Sequence, residues 1–247
     1  LRSAVREPDK AKFPTDDTAE AIALSMFHPQ WLVERWIKQF GIEQTKAICT
    51  ADNETPPLTL RVNMLRTTRN KILDNLRNQG IIANASKLTE EGIICENAGS
   101  LDNLDVLNQG LCQVQDESSM LVAHALDPQP GEFIIDCCAA PGGKTTHIAE
   151  LMKNTGHIIA VDIHEHKIKQ IQSNANRLGI NIIETILLDA REIGDKFKDK
   201  ADRVLVDAPC SGLGVLRRKA DLRWKKNLNE LKNLPKLQLE ILNSAAK

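Results

Sequence analysis

Phe133-Ile134-Ile135-Asp136-Cys137-Cys138-Ala139-Ala140-Pro141-Gly142-Gly143-Lys144-Thr145-Thr146 opens as an apolar run, breaks into small residues and glycines, and passes at once into a helical pattern. That reads as a strand, a tight loop and a helix N-terminus. Such a junction leaves backbone N–H groups unpaired at the positive end of the helix dipole, where a ligand carboxylate or phosphate is stabilised. Gly-Gly-Lys-Thr suggests a phosphate-binding loop, but that motif needs a glycine five residues before the one preceding the lysine, and Cys138 stands there. The three-glycine dinucleotide fingerprint is absent too, because Ala140 and Pro141 occupy places that need flexibility. A second strand, His157 to Asp162, ends in an acid about 20 residues after the glycines, from where nucleoside-binding sheets hold ribose hydroxyls. A nucleoside carrying a carboxylate and no phosphate fits both features.

The same alternation continues outward. Phe133 to Asp136 is followed by a helix from Thr145 to Lys153, His157 to Asp162 by a helix from His166 to Leu178, and two further strands run from Ile182 to Leu188 and from Arg203 to Val206. Strands alternating with helices predict a parallel sheet with crossover helices, whose ligands bind beyond the strands' carboxyl ends. Asp136, Asp162, Asp189 and Asp207 stand at those four ends. One such acid is ordinarily a helix cap; four at successive ends, beside a glycine loop, predict a site. A last helix, Leu228 to Ala246, carries an apolar face.

Upstream, residues 1–27 lack sustained periodicity until Ala19 to Phe27 and read as a linker or the tail of a missing domain. Helices are predicted from Pro29 to Phe40 and from Glu43 to Thr50, and Leu58, Leu60 and Val62 alternate as a half-buried strand with Arg61 and Asn63 on its other side. A helix after Thr68 closing at Gly80, then short strands at Ile81-Ile82 and Gly92 to Cys95, complete a small α/β unit over residues 28–110. Its plain reading is a packing or dimerisation module. Its sharper one is an RNA platform using Arg61, Arg66, Arg69 and Lys71; without stacking aromatics, neither is favoured. Leu111 to Gln115 is a possible strand and Met120 to Leu126 a helix, with Pro128, Pro130 and Gly131 marking the boundary before the central strand.

The chain's 247 residues suffice for two modest domains, and 42% hydrophobic with 26% charged content is that of a globular protein. No apolar run reaches the length of a membrane span and no signal-peptide pattern opens the chain, so a cytoplasmic protein is expected. The six cysteines (Cys49, Cys95, Cys112, Cys137, Cys138 and Cys210) lack the spacing of a zinc knuckle or redox motif, so no metal is expected. The net charge is −1, but Arg217, Arg218, Lys219, Arg223, Lys225 and Lys226 cluster against the single acid Asp221. Leu1 is not a methionine and Lys247 falls inside a helical pattern, so a fragment lacking material at both ends is expected.

Asp136-Cys137-Cys138-Ala139-Ala140-Pro141-Gly142-Gly143-Lys144-Thr145, Asp162, Asp189 and Asp207-Ala208-Pro209-Cys210-Ser211-Gly212 resemble the motifs of the RNA cytosine-C5 methyltransferases of the NOL1/NOP2/Sun family. Gly212 to Arg218 and Asp221-Leu222-Arg223-Trp224 resemble its bacterial Sun/Fmu branch, which acts on small-subunit ribosomal RNA. His28 to Val33 and Leu60 to Asn63 resemble its RNA-binding N-terminal region. The resemblance implies an α/β fold: a Rossmann-like S-adenosylmethionine-dependent methyltransferase sheet over residues 111–247, truncated at its C-terminus, preceded by a small α/β RNA-binding domain over 28–110. It implies that Cys138, Ala139, Ala140, Pro141, Gly142, Gly143 and Lys144 surround the methionine part of the cofactor. Asp162 then holds the ribose, Asp189 lies by the adenine, and Asp207 sits near the methyl donor and the base. Lys144 meets the cofactor carboxylate or is a solvated first-turn residue.

Carbon 5 of cytosine is a poor nucleophile, so such enzymes add a thiolate to carbon 6 before methyl transfer. Read from its residues alone, Cys210 after a proline in a strand-end loop looks like that thiolate. The resemblance assigns the attack to a later Thr-Cys motif, absent from residues 211–247, and gives Cys210 a part in product release. The implied partner is 16S ribosomal RNA, contacted by Arg61, Arg217, Arg218, Lys219 and Arg223, with a monomeric protein and no membrane. An amino-group methyltransferase would need an Asn/Asp-Pro-Pro-aromatic loop where Ala208-Pro209-Cys210 stands. A non-catalytic RNA-binding or assembly module is the other alternative, and binding of S-adenosylmethionine separates it.

Overall fold

The computed structural model describes residues 14, 16–96, 98–101 and 104–247. Two compact units divide the chain: one takes the residues up to Pro56 together with Cys210–Asn233, the other takes Pro57–Pro209 with Leu234–Lys247.

The first unit is helical. Helix α1 (Ala19–Ser25) is capped by Thr18, whose hydroxyl accepts the Ala21 N–H at 3.2 Å. Helices α2 (Gln30–Phe40) and α3 (Ile42–Asn53) are separated by Gly41 alone, at φ 82°, a conformation that glycine adopts without strain. Ile22, Leu32, Val33, Trp36 and Cys49 pack with Leu216 from the second segment.

In the second unit β1 (Leu58–Val62), helix α4 (Arg69–Asn78), β2 (Ile82–Ala85) and β3 (Gly92–Glu96) follow the expected strand, helix, strand, strand order. The sheet is antiparallel, in the order β2-β3-β1-β4. Its fourth strand, β4 (Cys112–Val114), pairs Gln113 with Arg61 of β1. The strand that the sequence puts at the head of the second domain therefore completes the sheet of the first.

Helix α5 (Glu117–Leu126) leads into β5 (Phe133–Asp136), α6 (Gly143–Leu151), β6 (His157–Asp162), α7 (Glu165–Leu178), β7 (Ile183–Leu187) and β8 (Arg203–Leu205). These four strands form a parallel sheet in the order β7-β6-β5-β8. Because side chains alternate across a strand, Ile134 and Ile158 enter one core with Ile148 and Leu178, while Ile135, Ile159 and Val161 enter the other. Burial on both faces explains the near-continuous apolar runs. Strand β8 forms one edge of the sheet.

The last helix, α8 (Leu228–Ala245), contains Pro235. On its apolar face Leu231, Leu234 and Leu237 are partly buried while Leu242 is exposed. Ile241 departs from this, being 3% exposed in the core with Ile135 and Val161.

Candidate active site

Strand β5 delivers Asp136 into the interior, 1% exposed, where Thr145 Oγ1 donates to its carboxylate at 2.7 Å. Burial pushes its carboxyl up to about 6 despite that bond. Asp136 thus ties the strand end to the first turn of α6. The loop between them is held by its own backbone: Ala139 N–H donates to Val161 O at 2.9 Å and Gly142 N–H to Ala139 O at 2.7 Å. The Ala140–Pro141 peptide is cis. Gly142 sits at φ 99°, and a Cβ there would stand 3.2 Å from the Cα of Ile171 in α7. Only glycine allows that approach.

At the end of β6 the Asp162 carboxylate accepts the His164 N–H at 3.0 Å, and Lys167 Nζ lies 3.7 Å away. Asp189, after β7, caps a short turn through the Arg191 N–H at 2.9 Å. Its carboxyl is held below the usual range chiefly by the hydrogen bond from the Arg191 side chain, which also reaches Glu240. Asp207, after β8, accepts from Lys144 Nζ at 2.7 Å.

Two cavities open along this edge. The larger, about 480 Å³, is walled by Cys138, Ala140, Asp162, Ile163, Asp189 and Asp207, and falls within the size range of ligand sites. The smaller, about 210 Å³, is walled by Asp136, Ala139, Pro141, Gly143, Lys144 and Asp207 together with Gln115, Asp116 and Ser119. Cys138, Ala140 and Asp207 line both. Gly142 lines neither and turns towards α7. The four strand-end acids do gather on one edge, as predicted. The sequence did not single out Ile163, an exposed apolar neighbour of Asp162, nor Gln115 and Asp116 from the β4–α5 connection and Ser119 from the first turn of α5. An isoleucine immediately after the strand-end acid was the available signal.

Burial raises the Cys138 thiol to about 12, so it is not a nucleophile at neutral pH. Cys210, directly after Pro209, is an exposed free thiol.

The basic residues part company. Arg61, expected on RNA, is fully buried: its guanidinium donates to both Glu150 carboxylate oxygens (2.9 and 3.2 Å), to Gly143 O, to Thr146 Oγ1 and to Gln115 Oε1. Its donors are spent inside the second unit, so no phosphate can reach them. Arg223 is likewise withdrawn, 4% exposed and donating to Phe27 O, Asn53 Oδ1 and Asp52 O. Arg66 and Arg69 also donate to backbone carbonyls. Arg217 is half-buried and reaches Glu54, whereas Arg218 and Lys219 are exposed.

The family described as 16S rRNA methyltransferase RsmB/F matches residues 123–247, just over half of the chain. The chain belongs to the RsmB/F family. An RsmF/B-like ferredoxin-like domain matches residues 28–102, which agrees with the antiparallel sheet and its helix. A probable ribosomal RNA small subunit methyltransferase B of Bacillus subtilis is 42% identical over all 247 residues, which cover 55% of that protein. The crystal structure of PH0851 superposes with a TM-score of 0.90 at 31% identity, over 99% of this chain and 55% of that one. That of a methyltransferase homologue from Pyrococcus horikoshii gives 0.79 at 28% identity, over 93% and 72%. This RsmB/F chain spans about half the length of the curated relatives it matches.

Proposed function

We propose that this chain binds S-adenosylmethionine with its nucleoside in the larger cavity and its methionine part reaching the smaller one past Asp207, and that the RsmB/F protein to which it corresponds methylates carbon 5 of a cytosine in 16S ribosomal RNA. The observation that carries this reading is the wall shared by the two cavities. Asp207 faces both a space of nucleoside size, with a buried carboxylate at a strand end, and a smaller polar space. A methyl donor and a base have to meet across such a wall.

The donor set suits the cofactor. Asp162, 8% exposed on the cavity wall, offers carboxylate oxygens to ribose hydroxyls, and Ile163 offers an apolar face to the adenine, with Asp189 near it. The Cys138–Lys144 loop presents backbone N–H groups at the start of α6, and the Lys144–Asp207 pair presents one charge of each sign for a methionine carboxylate and ammonium. When bound, S-adenosylmethionine supplies an electrophilic methyl on a sulfonium. Asp207 hydrogen-bonds the N3/N4 edge of the cytosine as charge develops there, which is worth most in a site closed to water. A thiolate from the protein adds to carbon 6; once carbon 5 has taken the methyl, a base takes the C5 proton and the thiolate is expelled. Cys210 assists that expulsion, and the attacking thiolate is that of a Thr-Cys motif of the longer RsmB/F protein.

The substrate's course is read from the exposed pair Arg218 and Lys219, which follows Cys210 in the chain. The protein is proposed to act as a monomer in the cytoplasm; no helix among the described residues is long and apolar enough to cross a membrane. The test is transfer of labelled methyl from S-adenosylmethionine to undermodified small-subunit RNA, comparing this chain, its Cys210→Ala form and a chain extended past Lys247. Activity in the extended chain alone is expected. Activity in the present chain that vanishes with Cys210→Ala makes Cys210 the nucleophile instead. A chain that binds RNA but no S-adenosylmethionine is an RNA-binding module.

A further inference from the structure

Away from the cavities, three side chains from distant parts of the second unit converge. Glu91 stands just before β3, His124 lies on α5 and His147 on α6. Nε2 of His124 lies 2.9 Å from Glu91 Oε1, and Nε2 of His147 lies 3.0 Å from the same oxygen. The two imidazoles meet edge to face, with ring centroids 5.3 Å apart. One ligand atom from each residue lies within 4.8 Å of the others. We propose that Glu91, His124 and His147 form a site for a divalent transition metal of the zinc class, fastening the hairpin before β3 to helices α5 and α6.

Three observations support this. Zinc takes imidazole nitrogens and carboxylate oxygens at about 2.0 to 2.2 Å in tetrahedral sites, which puts ligand atoms a little over 3 Å apart. The two Glu91–imidazole separations, 2.9 and 3.0 Å, need only a small expansion to admit the ion. Second, His147 is 1% exposed, yet neither of its ring nitrogens has a partner in hydrogen-bond geometry: Nε2 is close to Glu91 without being aligned for a proton. Buried polar atoms are rarely left so, and a lone pair aimed at a metal accounts for one of the two. Third, the ring of His124 is 38% exposed, which opens an entry path for the ion and leaves solvent to complete its coordination. The neighbouring charges, Arg61 and Glu150, neutralise each other, so no net positive charge opposes a cation.

The alternative is a metal-free triad in which both imidazoles donate to one carboxylate. Zn²⁺ titration of the whole chain, by competition with a chromophoric chelator, separates the two. One equivalent bound at low-micromolar Kd or tighter is expected, weakening by about tenfold or more in His124→Ala and in Glu91→Gln. His124→Ala alters an exposed side chain, and urea unfolding without metal shows whether either variant still folds. Co²⁺ substitution should give ligand-field absorption without thiolate-to-metal charge transfer, and Zn²⁺ should raise the melting temperature of the parent but not of His124→Ala. Absence of stoichiometric binding, binding unchanged in both variants, or thiolate-type absorption would overturn the site.

Discussion

Lys144 Nζ donates to Asp207 Oδ2 at 2.7 Å, joining the first turn of α6 to the segment after β8. With side chains 22% and 50% exposed, the pair is screened by solvent and contributes about 0 to 1 kcal/mol to folding. Its value lies in holding two opposite charges at the mouth of the smaller cavity. Lys144→Met is therefore expected to leave the melting temperature nearly unchanged while weakening S-adenosylmethionine binding, read by calorimetry on the same samples. Equal affinities would make Lys144 a solvated helix residue only.

Asp162→Ala is expected to lower cofactor affinity more sharply. Hydrogen bonds to a carboxylate contribute roughly 1.5 to 3 kcal/mol each. The same carboxylate accepts the His164 N–H, so a stability loss of about 1 kcal/mol should accompany the binding loss. An unaltered calorimetric affinity would remove the residue from the ribose site.

Arg61→Met should be among the most damaging single changes in the second unit. It leaves Glu150 as an unpaired buried charge, which costs about 3 to 5 kcal/mol. The double variant Arg61→Met with Glu150→Leu should recover part of that loss in urea unfolding. Additive losses would show that the two residues do not act as a pair.

Asp136 sets a pH dependence. Its carboxyl titrates near 6 in the folded protein against 3.8 for an ordinary aspartate, because burial penalises the charged form. The folded state holds that proton more tightly, so its contribution is full below about pH 4 and is lost as the pH rises through about 6, amounting to about 3 kcal/mol. Comparison with Asp136→Asn by chemical unfolding across this range should show the parent losing ground up to about pH 6 and none beyond. The opposite slope would contradict the burial argument.

Neutralising Arg218 and Lys219 together should flatten the salt dependence of RNA binding, by roughly 0.7 to 0.9 in the log–log slope for each phosphate no longer neutralised. Arg223→Met should instead destabilise the helical unit, since its guanidinium joins the ends of α1 and α3 through Phe27 O, Asn53 and Asp52 O. An unchanged slope in the first variant would return the segment to an ordinary solvated loop.

The parallel sheet was legible because both of its faces are covered, which makes β5 and β6 unbroken apolar runs bounded by acids and glycines. Arg61 misled for the same kind of reason. Alternation correctly put it opposite Leu60 and Val62, but nothing local says that the opposite face is covered by α6, whose Glu150 lies 89 residues on. Ile241 follows this pattern: its helical periodicity was visible, the core that receives it was not. Glu91 and His124 are 33 residues apart, beyond the reach of any ligand-spacing rule, and cysteine spacing could not reveal a site without cysteine. Motifs that work through local backbone could be read; interactions between distant elements could not.

Strand β4 pairs with β1 across the place where the sequence suggests a cut, and Arg61 reaches from β1 into the helix that follows the glycine loop. A chain begun at residue 111 would strip β4 of its neighbour and strand Glu150 without its counter-charge. The antiparallel sheet is thus not a detachable adaptor that could be exchanged for another recognition module. It is inherited with the glycine loop, and the two sheets are expected to gain and lose amide-exchange protection as one cooperative body.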